Sequence, residues 1–139
     1  TILNNHCCFP QSFLSLQYWH PGKLKVEPFE FHLNTMCNFD ILQKDQHGFV
    51  VKCKSCNKIR WCFGNLVVNC DENEFQQLVN AVEVETQKHI KSDTDNSRTI
   101  FLEHPTGAFN LVFNSREIRN FNRLLQESYI TNEIGKLLQ

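Results

Sequence analysis

The sequence predicts an α+β domain: an antiparallel β meander with two helices, arranged as two ββα-like units around one core. Three observations lead there. Short runs rich in β-branched and aromatic residues alternate with turn residues from 39 to 70. Two helical stripes follow, each after a residue that caps helices. A polar connector, Ser92 to Ser97, separates the first helix from a second hairpin.

Phe39 to Lys44 reads as the first strand and Phe49 to Cys53 as the second. Asp45-Gln46-His47-Gly48 turns between them, with Gly48 expected to supply a positive φ. Ile59 to Phe63 is the third strand, Gly64-Asn65 a two-residue hairpin turn, and Leu66 to Cys70 the fourth. Asp71 with Glu74 makes a capping box. Phe75, Leu78, Val79 and Val82 then recur at helical spacing, in a helix that ends near His89. Arg98 to Glu103 and Ala108 to Asn114 form a second hairpin around Pro105-Thr106-Gly107. Ser115 is expected to cap a second helix with Ile118, Phe121, Leu124, Leu125 and Tyr129 on its buried stripe. That helix runs toward the C-terminus, weakened by Gly135.

The two halves share letters. Asn65-Leu66-Val67-Val68-Asn69 can be laid on Asn110-Leu111-Val112-Phe113-Asn114, and with one insertion Phe75 falls on Phe121. An internal repeat would make each half one unit, 36–90 and 98–139. Neither unit alone buries enough apolar area to be stable, so the two should pack together.

Residues 1–35 read differently. They are rich in aromatics, histidine and proline and carry only Lys23, Lys25, Glu27 and Glu30 as charges. Residues 24–33 alternate well enough for one strand, which Pro28 confines to an edge. Met36 is the only methionine, and the orderly pattern begins after it. The expectation is an N-terminal arm over 1–35, either an ordinary irregular arm or an upstream extension without its own fold, and a single domain over 36–139.

With 139 residues, one domain is the prior. An apolar content of 41% supports a modest core and excludes a disordered chain. No apolar run approaches the ~20 residues of a membrane helix. A net charge of −1 argues against a surface that is basic throughout. Seven cysteines would leave one thiol over in a closed disulfide framework, and no signal peptide pattern precedes them. Both points favour a cytoplasmic setting, where grouped cysteines bind metal or do redox chemistry.

Cys53-x2-Cys56 is the motif with chemistry in it. Two thiolates at this spacing on a tight turn can reach one Zn²⁺ at ~2.3 Å, and Asn57 tolerates the left-handed conformation such turns need. Hairpin arithmetic adds partners. If Lys44 faces Phe49, Asp40 faces Cys53 and Cys37 lies just beyond it. If Phe63 faces Leu66, Ile59 faces Cys70 and Cys70 lies beside Cys56. Cys37, Cys53, Cys56 and Cys70 thus converge as expected ligands of a structural zinc ion, with His104 the outside candidate for the fourth place. Cys62 falls near the other turn, roughly 20 Å away at ~3.3 Å per residue, and is expected in the core. His104 is otherwise an exposed turn histidine.

Lys52, Lys54, Lys58 and Arg60 cluster at the knuckle, near Trp61 and Phe63, and Arg116, Arg119 and Arg123 share a helix face. This combination is the alternative of a zinc-ribbon-like nucleic-acid surface. A thiol-redox protein is a further alternative, but a thioredoxin-like pair would sit at a helix N-terminus rather than between strands. The sequence has neither a phosphate-binding glycine loop nor a His-Glu-x-x-His motif. The reading is therefore a zinc-binding module that binds or regulates and is not an enzyme, with a protein partner ahead of nucleic acid and no membrane.

From Met36 onward, Cys37, Cys53-x2-Cys56, Phe63-Gly64 and Phe75 on a helix together resemble small bacterial proteins grouped only as a domain of unknown function. The resemblance covers roughly 36–125 and implies no known activity. It implies that Cys37, Cys53 and Cys56 are the shared positions.

Overall fold

The computed structural model describes residues 37–91 and 96–139. The expected arm at 1–35, with its edge strand, lies outside the described residues. Four strands run as a meander: β1 (Phe39–Lys44), β2 (Gly48–Cys53), β3 (Ile59–Phe63) and β4 (Leu66–Cys70). They form one antiparallel sheet in the order β1-β2-β3-β4. Helix α1 (Glu72–Lys88) follows, then a two-stranded sheet of β5 (Ile100–Glu103) and β6 (Asn110–Phe113), then α2 (Ser115–Leu137). The protein is α+β, as the periodicities predict.

The β3–β4 hairpin has the expected register, with Phe63 opposite Leu66 and Ile59 opposite Cys70. The β1–β2 hairpin does not. Lys44 faces Phe49, but a bulge between Ile41 and Gln43 absorbs Leu42, so Phe39 rather than Asp40 faces Cys53. Gly48 is also there for a different reason. Its φ is not positive, but a Cβ would lie 1.9 Å from the Cys62 carbonyl oxygen on the neighbouring strand. Close approach of β3, not turn conformation, demands glycine at that position.

Both helices begin with a complete capping box. The Asp71 carboxylate accepts from the Glu74 N–H while Glu74 accepts from the Asp71 N–H. In α2 the N-cap is Asn114, one residue before the expected Ser115, and its box partner is Glu117. Matching the caps pairs Asp71 with Asn114, hence Phe75 with Ile118 and Leu78 with Phe121. The letter match that set Phe75 on Phe121 is therefore out of step with the helices. Gly135 does not stop α2.

The core is one cluster drawn from β2, β3, β4, both helices, β5 and β6. Trp61 and Phe121 are fully buried at its centre, 5.2 Å apart between ring centroids. Phe63 and Phe113, 6.1 Å from each other, close on Phe121 at 4.8 and 5.4 Å. Helix α2 packs on α1 and reaches across to β1 and β2. The helices thus cover one face of the four-stranded sheet. Val50, Ile59, Trp61 and Cys70 stand on that face.

Candidate metal centre

Residues 53–58 form a tight knuckle between β2 and β3. The Cys53 N–H donates to the Lys58 carbonyl at 2.8 Å, and the Asn57 N–H donates back to the Cys53 carbonyl at 3.0 Å. Asn57 has φ 58°, the left-handed conformation its side chain tolerates. Beyond β1, the Lys54 N–H donates to the Asn38 carbonyl at 2.8 Å, which continues the β1–β2 pairing and carries Cys37 to the knuckle.

The Cys53 sulfur is the hub. The backbone N–H groups of Ser55 and Cys56 and the thiols of Cys56 and Cys37 surround it and favour its thiolate form. Burial pushes this thiol up, but those four donors outweigh it and bring it from 9.0 down to about 7. Such N–H groups stabilise a thiolate, whether free or metal-bound. Cys53 is buried, and Cys37 and Cys56 are half-buried beside it.

Cys70 is not in this group. The register explains why. Lys52 pairs with Ile59, and Ile59 with Cys70, so these three share the helix-covered face. Cys53, one residue beyond Lys52, stands on the opposite face. The Cys70 thiol contacts the Ile59 carbonyl at 3.6 Å and is pushed up to about 12, first by burial and then by Glu74 and Asp71. It is at the expected height along the ladder and on the other side of the sheet. Among the described residues, no group of three or more His, Cys, Asp or Glu is assembled as a metal site.

His104 is not an exposed turn residue. It is buried, stacked on Phe109 at 4.5 Å and 6.1 Å from Trp61. Its Nδ1 lies 2.8 Å from the Thr106 hydroxyl. Its Nε2 and the Trp61 Nε1 are buried without a hydrogen-bond partner among the described residues. Burial holds its pKa below 6.5. Sequence reasoning missed this core histidine because the contacts come from distant strands. Cys62 is half-buried rather than core; its partners Phe49 and Val67 place it on the outer face of the sheet.

The expected basic cluster is divided. Lys52 turns to the helix side, where its Nζ donates to Asn132 at 3.0 Å and lies 3.9 Å from Glu72. Lys54 pairs with Asp40 at 3.0 Å, and Lys136 pairs with Glu72 and Glu133. These lysines line a cleft of about 470 Å³ between the β1–β2 edge and the end of α2, where their charge is balanced by these neighbouring carboxylates. Trp61 is buried, so it cannot interleave with bases.

None of the helices among the described residues is long and apolar enough to cross a membrane. No curated protein and no solved structure shows significant similarity to the chain. A family model does match, over residues 36–139, and the chain belongs to that family of unknown function, DUF6686.

Proposed function

We propose that the knuckle is a zinc-binding thiolate site, held by Cys53 and Cys56 with Cys37 as third ligand, in a domain that serves as a binding or regulatory module. One observation carries the reading. A single sulfur, Cys53, collects two backbone N–H groups and two further thiols at a turn that needs a left-handed residue. Zinc knuckles require that chemistry: thiolates on a tight turn, their charge spread into backbone amides. Zinc would tie the start of β1 to the β2–β3 turn, so its binding would be linked to folding. Cys70 stands outside the proposed set because it is on the far face of the sheet.

Metal analysis of protein purified without added zinc tests this. About one zinc per chain, and a melting temperature that falls on chelation, are expected. Protein that carries no metal, binds none on titration, and forms a reversible Cys53–Cys56 disulfide would replace this reading with a thiol-redox pair.

A further inference from the structure

A four-stranded antiparallel sheet covered on one face usually turns polar residues outward on the other. This one does not. On the outer face, Phe39 stands opposite Cys53, Ile41 opposite Val51, and Phe49 opposite Cys62, which in turn faces Val67. Ile41 is 66% exposed and Val67 52%. The Arg60 guanidinium lies 5.1 Å over the Phe39 ring. Lys44 shares this face through its pairing with Phe49, and Lys58 through its backbone bond with Cys53. Among the described residues, no carboxylate stands on it, whereas α1 and α2 carry Glu72, Glu74, Glu83, Glu85, Glu117, Glu127 and Glu133. The helices set those seven glutamates against Lys88, Arg116, Arg119, Arg123 and Lys136, whereas the outer sheet face carries its cations without a described carboxylate.

We infer that this outer face is a docking surface for single-stranded nucleic acid. The charge selects the occupant. A second copy meeting face to face would set Lys44, Lys58 and Arg60 against their own kind, which costs affinity. An anionic partner gains from all three. Flat rings distinguish among anions. Phe39 with Arg60 lying on it, and Phe49 four residues along from Phe39's partner Cys53, about 13 Å at ~3.3 Å per residue, are two half-buried rings whose exposed parts can stack on bases. Aromatic and guanidinium planes flanked by lysines bind unpaired bases and their phosphates with little sequence preference. This is not the surface the sequence suggested, since Trp61, Phe63 and Lys52 all turn to the helix side. The inference does not depend on metal at the knuckle.

The test is fluorescence anisotropy of the full chain with short labelled single-stranded oligothymidine and oligouridine. Binding in the micromolar range at ~50 mM salt is expected, with a log–log salt slope near −2, from ~0.7 per cation for three cations. Lys58→Glu should weaken binding ~10-fold, while Arg123→Glu on exposed α2 should stay within ~2-fold. Phe49→Leu keeps most of the apolar volume but removes the ring, and should weaken binding ~5-fold or more with an unchanged melting curve. Absence of binding, equal losses in Arg123→Glu and Lys58→Glu, or a Phe49→Leu protein that binds like wild type would overturn the inference. So would displacement of the oligonucleotide by polyglutamate at equal charge, which would mark the face as a site for acidic protein.

Discussion

Cys53 and Cys70 flank the same stretch of β3, one beside Lys58 and the other beside Ile59, yet their thiols sit near 7 and near 12. Both are buried. What separates them is the face of the sheet. On the helix side, Cys70 has a lone backbone carbonyl for company, and burial with two nearby carboxylates holds it as a neutral thiol. On the outer side, Cys53 is buried by the knuckle itself, where the amides of Ser55 and Cys56 and the thiols of Cys56 and Cys37 favour its thiolate form. Cys70 lies deeper with little to offset its burial, whereas the donors around Cys53 outweigh a shallower burial.

The same contrast governs the energetics, and substitutions on the two faces should diverge. Trp61→Ala on the core face should cost ~3–5 kcal/mol in urea unfolding, because a fully buried indole packed on Phe121 leaves a cavity. Ile41→Ala on the outer face should change stability by less than ~0.5 kcal/mol. If the two losses were comparable, the outer face would be part of a core. Gly48→Ala tests the ladder between the faces. Its Cβ would meet the Cys62 carbonyl, so β2 and β3 must part, at ~1–3 kcal/mol.

Much of this was legible in the chain. Two-residue hairpin turns fix register, so Ile59 opposite Cys70 followed from Gly64-Asn65. The capping signal of Asp71 and Glu74 located α1 to the residue. Two things were not legible. Convergence along a ladder says nothing about which face a residue takes, and Cys70 reached the right height on the wrong side. The bulge at Leu42 has no signature in the letters around it, and it moved the partner of Cys53 from Asp40 to Phe39. His104 was misread because nothing local to His-Pro-Thr-Gly announces Trp61 and Phe109.

Smaller effects follow from the ends of the helices and from the buried histidine. Asp71→Ala and Asn114→Ala should each cost ~1 kcal/mol, since each removes one half of a capping box. Burial lowers the His104 pKa in the folded protein, so the unfolded chain binds more protons below 6.5. Stability should be full above that pH and fall as pH drops from 6.5 through the lower native value. His104→Phe should flatten this part of the curve; an unchanged slope would show that other groups set it.

The central claim is that the outer-face knuckle, not the number of cysteines, makes the metal site. Zinc per chain in Cys53→Ser and in Cys70→Ser, purified side by side with wild type, tests it most directly. The expected result is zinc lost from Cys53→Ser and retained in Cys70→Ser, with both proteins still folded by circular dichroism. Equal retention in the two variants, or zinc lost from Cys70→Ser alone, would contradict it.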